Sequence, residues 1–298
     1  MKQSHIPVLL KEVLNYLDPK PEDFIIDGTV DGGGHATEIL EKLSTSGSFL
    51  GLDWDEKILE EAKKKITTTK PRTFLLVGNY ADLPEIVKRE NLPKADGLLL
   101  DLGFSSWQME VSGRGFSFNP SADNEPLLMT FDPNRKPVKE ILKEIGEEKL
   151  AKILFDFSGE RFAKKIAKAI KDRERRNPIE KVSELREIVE SAVPKSYERG
   201  RINPATRTFQ ALRIYANDEL GNLEKILSNL SNLIHPNGRV VIISFHSLED
   251  GMVKRCFREL AKEGVATILT KKPVTASSEE IRENPRSRSA KLRAIKLT

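Results

Sequence analysis

Cysteine is nearly absent from this chain. Cys256 stands alone, so neither an intrachain disulfide nor a thiolate metal cluster can form. Such scarcity suits a reducing cytoplasm and excludes a disulfide-stapled secreted domain. Long apolar runs are missing too: the longest, such as Val240-Val241-Ile242-Ile243, stop far short of the roughly 20 residues that span a bilayer. The amino-terminal stretch meets Lys11 and Glu12 too early for a secretory leader. Neither sign of charge dominates, with 49 Lys+Arg against 45 Asp+Glu, and no repeat or low-complexity tract interrupts the mixture. A hydrophobic share of 38% is enough for a core, which excludes a collagenous or wholly disordered chain. The 298 residues ask for one large domain or two. The expectation is a cytoplasmic globular protein.

What the chain does have is rhythm. Residues 24–27, 49–53, 74–77 and 98–101 are short apolar runs separated by helical spacing. Runs apolar on both faces, alternating with helices, mean a parallel sheet covered on both sides. Between 104 and 135 the period fails, and Gly113, Gly115, Pro120, Pro126 and Pro133 mark a long loop. Helical spacing resumes through Leu150, Ile153 and Leu154, through Phe162, Ile166 and Ile170, and through Leu185, Ile188 and Val189. A long pattern then runs from Thr206 to Leu233. A Pro236-Asn237-Gly238 turn is expected ahead of a fifth strand at 240–243, and Ser247-Leu248-Glu249-Asp250 has the form of a capping box. Two last strands are expected at 266–270 and 292–297. The simplest parse is one α/β sheet domain interrupted by a helical insert of about a hundred residues.

In open α/β sheets, ligands bind beyond the carboxyl ends of the strands. The first such end leads into Asp27-Gly28-Thr29-Val30-Asp31-Gly32-Gly33-Gly34-His35. Consecutive glycines let a ligand approach the backbone, and the helix start behind them offers free N–H groups to an anion. The spacing is not G-x-G-x-x-G, so a nicotinamide dinucleotide fits poorly. Asp53 ends the second run; an acid there can take both hydroxyls of a ribose or cap the next helix, as Asp55 equally could. Tyr80 offers a face to a purine or a packing group to the core. Asp101 leaves four apolar residues and heads Asp101-Leu102-Gly103-Phe104-Ser105-Ser106-Trp107-Gln108. A carboxylate in that place needs a partner, because burying it unpaired is costly. His246 can be a general base, an RNA contact or a helix cap. His5, His35, His235 and His246 lack metal-ligand spacing, and no metal is expected.

Cations gather in three places. Residues 161–176 carry Arg161, Lys164, Lys165, Lys168, Lys171, Arg173, Arg175 and Arg176 against Asp172 and Glu174. Residues 195–213 add Lys195, Arg199, Arg201, Arg207 and Arg213, and the tail adds Arg286, Arg288, Lys291 and Arg293. In a chain of near-balanced charge such patches suggest a phosphate backbone as partner, whereas one run alone could be a solvated helix face.

Together these blocks resemble the bacterial small-subunit rRNA cytosine-N4 methyltransferases, which use S-adenosylmethionine (AdoMet). The likeness is carried by His5-Ile6-Pro7-Val8-Leu9-Leu10, Gly33-Gly34-His35, Asp101-Leu102-Gly103 with Ser105, Ser106 and Gln108, and Arg114-Gly115-Phe116-Ser117-Phe118. Glu160-Arg161-Phe162-Ala163, the stretch from Pro204 to Arg213, the stretch from Ile243 to Asp250 and Asn284-Pro285-Arg286-Ser287-Arg288-Ser289 extend it over essentially the whole chain. The resemblance implies an α/β fold, a class I AdoMet methyltransferase (Rossmann-like) sheet with an inserted helical domain. Residues 1–105 and 206–298 would bind AdoMet, and residues 106–205 would form the RNA-substrate domain. The implied substrate is the exocyclic N4 of a cytidine in the decoding region of 16S rRNA, met within the small ribosomal subunit and away from any membrane.

By the same resemblance, AdoMet lies on Gly33, Gly34 and His35, with Asp53 on its ribose, Tyr80 beside its adenine, and Asp101 and Gln108 around its methionine end. Asp101 and Ser105 are the candidates for accepting the hydrogens of the substrate amine, with His246 a third. Arg114, Arg173, Arg207, Arg213, Arg286 and Arg288 would hold RNA. Monomer and homodimer both stay open. Four places depart from the family pattern: Asp31 where glycine is usual, Leu128 and Thr130 where an acid and an arginine are usual, Asn203 for histidine, and Gly251 for arginine. Two rivals stand. A small-molecule methyltransferase would leave the basic patches unexplained, while a catalytically silent RNA-binding assembly factor would accommodate the departures.

Overall fold

The computed structural model describes residues 7–66, 71–103, 112–197 and 203–298. The chain divides into two compact units, Met1–Ser105 with Leu220–Thr298, and Ser106–Glu219.

The first unit is built on seven strands: β1 Phe24–Asp27, β2 Ser48–Asp53, β3 Arg72–Val77, β4 Ala95–Asp101, β5 Ile234–Ser244, β6 Ala266–Ile268 and β7 Lys291–Leu297. They form one sheet in the order β3-β2-β1-β4-β5-β7-β6. The first five are parallel, and β7 runs antiparallel to both β5 and β6. Strand order reverses direction between β1 and β4, which opens a crevice at their carboxyl ends. Asp27 is in register with Leu99, and Asp101 with Ile243.

Alternation along each strand feeds two separate cores. Ile26, Leu50, Leu98, Leu100 and Ile242 pack with the helical residues Leu83, Ile86, Leu223, Ile226, Val253 and Phe257. Ile25, Phe49, Leu99, Val241 and Ile243 pack with Val13, Leu17, Ile39, Leu40 and Leu59. Each such fully buried side chain contributes about 1.5–3 kcal/mol over its exposed state. Burial on both faces is why these strands read as continuous apolar runs.

Three local expectations are corrected. The Pro236–Gly238 turn lies inside β5 rather than ahead of it. The register with β4 slips between Ala95 and Gly97, Asn237 adopts a left-handed φ of 70°, and a Cβ on Gly238 would sit 2.5 Å from Ile234 Cγ2. The capping box at the helix Ser247–Lys262 belongs to His246 and Glu249, one residue earlier than Ser247 and Asp250. The long pattern after Thr206 is three helices, Thr206–Asn217, Glu219–Leu227 and Leu230–Leu233, broken first where Asp218 turns left-handed at φ 52°. The helix Thr206–Asn217 is part of the second unit.

The second unit packs the helices Val138–Glu144, Glu147–Ser158, Ala163–Glu174, Val182–Ala192 and Thr206–Asn217 around Leu142, Leu150, Leu154, Ile166, Ile170, Leu185, Val189 and Leu212. Its glycine- and proline-rich lead-in is held by side chains in place of regular structure. Asn217, fully buried, accepts from Phe131 N at 2.8 Å and donates to Met129 O at 2.8 Å. Among the described residues, no helix is long and apolar enough to cross a membrane.

Candidate active site

The two central strands end in carboxylates. Asp27 is fully buried; its Oδ1 accepts from Thr29 N at 3.0 Å, and its Oδ2 has no hydrogen-bond partner among the described residues. Burial pushes its carboxyl up to about 7, with the negative charges of Asp101 and Asp31 adding to the rise. The residue after it must be glycine: a Cβ on Gly28 would lie 2.5 Å from Leu100 Cδ2 and 3.0 Å from Tyr80 Cβ. An orphaned buried carboxylate oxygen costs stability until a donor or cation meets it. Sequence reasoning took Asp27 only as the end of a strand, and its burial appears only once β4 pairs alongside.

This burial has a measurable consequence. The fold keeps the Asp27 proton to about pH 7, whereas an unfolded chain loses it near the ordinary carboxylate value of about 3.9. The stability it contributes is therefore complete at low pH and lost as pH rises toward neutrality. Asp27→Asn keeps an acceptor for Thr29 and cannot ionise. At about pH 8, it is expected to stabilise the ligand-free protein by about 1–3 kcal/mol, a lifted buried charge partly offset by an unpaired amide. Denaturant melts at about pH 5 and pH 8 check this; an advantage equal at both values rules it out.

The glycine loop leads from Asp27 to Asp53. Asp31 adopts φ 49°, a left-handed conformation that explains glycine as the usual residue there, and its N–H reaches Asp53 Oδ2 at 2.9 Å. Asp53 Oδ1 accepts from Asp55 N at 2.9 Å. Burial pushes the half-buried Asp53 carboxyl up to about 8, opposed by these two backbone donors and reinforced by the charge of Asp31. The helix Glu56–Lys65 is capped by Asp55, which accepts from Lys57 N at 3.1 Å, so capping does not occupy Asp53. Trp54, absent from the sequence candidates, lies near-parallel to Tyr80 at 16°, with ring centroids 6.3 Å apart. Its only signal was an aromatic directly after the strand-end acid. Tyr80 starts a 3-10 turn whose cap, Asn79, accepts from Ala81 N at 2.8 Å and donates to Asn222 Oδ1 at 2.9 Å.

Asp101 is held from three sides. Its N–H donates to Thr29 Oγ1 at 2.6 Å, its Oδ1 accepts from Gly103 N at 3.2 Å, and its Oδ2 lies 3.8 Å from His35 Nδ1. His35 is buried in the first turn of the helix Gly34–Lys42, and its Nε2 lies 2.9 Å from Val8 O. Ser105 and Gln108 lie outside the described residues. Of the three readings open for His246, helix cap is the one the contacts express. Its Nδ1 accepts from Glu249 N at 3.4 Å, and Glu249 Oε2 accepts from Phe245 N at 2.8 Å. His246 Nε2 lies 3.1 Å from Glu249 Oε1 but lacks hydrogen-bond alignment with it.

The arginines separate into braces and surface groups. Arg213, buried, grips Glu219 with two bonds of 2.8 and 2.9 Å. Arg114 donates to Thr130 O and Phe131 O, at 3.4 and 3.0 Å. Arg173 bridges Asn177 O at 2.6 Å and Glu184 Oε1 at 3.1 Å. Arg207 lies 3.4 and 3.5 Å from Ser158 O and Gly159 O. Arg286 and Arg288 share the 3-10 turn Pro285–Ser289, and Arg288 is exposed. On the helix Ala163–Glu174 and just beyond it, the exposed cations are Lys164, Lys165, Lys168, Arg175 and Arg176.

Known proteins share this chain end to end. The ribosomal RNA small subunit methyltransferase H of Heliobacterium modesticaldum is 42% identical over 97% of this chain and 97% of its own. The protein of the same name from Geobacter sulfurreducens is 41% identical, covering 99% of each. That from Thermotoga neapolitana is 43% identical over 98% of this chain and 96% of its own. The pattern that defines the MraW methylase family matches residues 2–298, and the chain belongs to that family.

Proposed function

We propose that this protein transfers a methyl group from AdoMet to the exocyclic N4 of a cytidine in the decoding region of 16S rRNA, in the cytoplasm and within the small ribosomal subunit. The observation that carries the reading is the row of strand-end acids, Asp53 on β2, Asp27 on β1 and Asp101 on β4, at neighbouring carboxyl ends of the sheet beside a glycine loop whose Asp31 N–H reaches Asp53. The groups present fit AdoMet. The orphaned Asp27 Oδ2 suits its ammonium, Asp53 suits the ribose hydroxyls, and the Trp54 and Tyr80 rings suit the adenine. Gly33 turns the loop at φ 80°, a left-handed conformation that favours glycine, directly ahead of the helix Gly34–Lys42.

Bound there, AdoMet supplies a methyl group on a sulfonium, ready for in-line displacement. The protein's own work is positioning and electrostatics. The N4 lone pair of cytosine is delocalised into the ring. A carboxylate oxygen of Asp101, accepting an N4 hydrogen, localises that pair toward the methyl group. The contacts of Asp101 with Thr29 and Gly103 fix the carboxylate before substrate arrives. The target base has to leave its stack to reach such a crevice.

Tritiated AdoMet, incubated with deproteinised 16S rRNA and with intact small subunits, followed by nucleoside analysis, tests the reading. Label in N4-methylcytidine is expected. Label in a different nucleoside, or in no RNA at all, sinks it.

RNA affinity should depend on the cations left exposed. Replacing Lys164, Lys168 and Arg176 by Gln is expected to flatten the slope of log affinity against log salt by up to about 0.7–0.9 per lost phosphate contact. Arg173→Gln should instead loosen the second unit, because Arg173 ties Asn177 and Glu184. A triple variant with unchanged slope and affinity would make this helix a solvated face.

A further inference from the structure

We infer that Phe155 is a stacking platform for an unpaired base of the RNA substrate, set beside cations that take the flanking phosphates. The inference deepens the proposed function and rests on its choice of RNA as the substrate.

The argument begins with exposure. Among the described residues, the large apolar side chains left in water are Phe155, 61% exposed, and Val77. A lone apolar group on a surface needs no explanation of its own. Val77 ends the edge strand β3 and offers only an aliphatic group. Phe155 differs in kind, because a phenyl ring has a face on which any base can stack. It is also held still. The helix Glu147–Ser158 closes on Gly159, left-handed at φ 65°, whose N–H donates to Phe155 O at 2.8 Å. Ser158 Oγ donates to Leu154 O at 2.7 Å. A ring on so fixed a backbone gives up little freedom when a base settles on it.

Helix phase supplies the surroundings of the ring. Within the second unit, this helix packs against both Thr206–Asn217 and Ala163–Glu174. Phe157 and Lys149 mark the flank toward the first of these, since both meet Tyr215. The Phe157 and Tyr215 ring centroids are 6.4 Å apart, and Lys149 Nζ lies 5.9 Å from the Tyr215 centroid. At about 100° per residue, Phe155 stands about 160° around the axis from Phe157 and about 120° from Lys149. It therefore leans to the other flank, toward Ala163–Glu174. On that helix, Ala169 and Arg173 line a groove shared with Val182–Ala192. Lys164 and Lys168, about 100–180° around from them, take the flank toward Phe155. Both are exposed, as is Lys152, one turn before Phe155 on its own helix. The acids of that helix stand off: Glu147 and Glu148 lie two turns back, and Asp156 lies about 100° around. A ring bounded by cations suits a strand of bases and phosphates. An apolar protein partner would have to strip the water from three lysines, a residue depleted in such interfaces.

Binding of the full-length protein to single-stranded oligocytidylate tests this, with an RNA duplex of the same length as the control. Phe155→Ala should weaken single-strand affinity by about five- to a hundredfold, the span for losing one base–aromatic stack, and leave duplex affinity unchanged. The slope of log affinity against log salt should keep its wild-type value, because no charge is removed. That separates Phe155 from Lys164 and Lys168. Phe155→Leu should bind as poorly as Phe155→Ala. Phe155→Trp should restore affinity, and its added indole emission should be quenched by the RNA. An exposed helix position accepts all three, alanine best, and thermal melting monitors the fold. Wild-type affinity in Phe155→Ala, or full affinity in Phe155→Leu, overturns the inference. So does intact RNA affinity in Phe155→Ala with loss of a dimer in sedimentation, which gives the ring to a second copy of the chain. If the wild-type protein binds no RNA, the proposed function falls and the inference with it; RNA binding indifferent to Phe155 overturns the inference alone.

Discussion

Asp101→Asn is expected to leave the protein folded and to slow methyl transfer by about a hundredfold at saturating AdoMet and RNA, a loss near 3 kcal/mol. Asparagine keeps the shape and an acceptor for Gly103 N, so the backbone contacts of Asp101 survive. What disappears is the charge that draws on the N4 hydrogens, and that interaction strengthens as N4 becomes cationic in the transition state. Loss of an interaction made mainly in the transition state lowers kcat and kcat/KM together. If Asp101 instead anchors the ammonium of AdoMet, the defect appears in cofactor affinity and saturating AdoMet restores the rate. A variant with wild-type turnover and wild-type affinity would make Asp101 structural.

The sheet was legible because physics made it redundant. Residues 24–26 of β1, 49–52 of β2, 98–100 of β4 and 240–243 of β5 are buried between two helical layers, so these runs are apolar and helical spacing stands out between them. Local alternatives of similar pattern were not separable. Ser247-x-x-Asp250 and His246-x-x-Glu249 both satisfy a capping template, and the extended backbone of His246 (φ −137°, ψ 167°) decides between them. Charge was legible as a sum and illegible as pairing. Arg213 and Arg173 counted toward a basic surface, yet Glu219 and Glu184 meet them from the next helix along the chain, a pairing that spacing within one helix does not reveal. Asp53 was readable from its place at a strand end, while Trp54 and Asp27 gained meaning only from what folded beside them.

AdoMet affinity is expected to rise with pH up to about 8 and then level off, through Asp53. In the ligand-free protein, burial keeps this carboxyl protonated to about 8. Ribose hydroxyls are donors, and an ionised carboxylate accepts from them about twice as strongly as a neutral group. Binding therefore favours the ionised form and expels a proton. Below the titration, each pH unit changes affinity by up to about tenfold, so about pH 6 and pH 8 should differ by up to about a hundredfold. Asp27, titrating at about 7, steepens the acid side if its orphaned oxygen meets the ammonium. Asp53→Asn should bind about 1.5–3 kcal/mol more weakly than wild type above pH 8, where the charge is lost, and should approach it at about pH 6. Asp31→Gly removes the neighbouring charge that helps raise Asp53, so its inflection should move to lower pH. Calorimetry across this range, in two buffers of different ionisation enthalpy, counts the expelled proton directly. A wild-type affinity independent of pH, or a deficit in Asp53→Asn that is the same at every pH, would take Asp53 off the ribose.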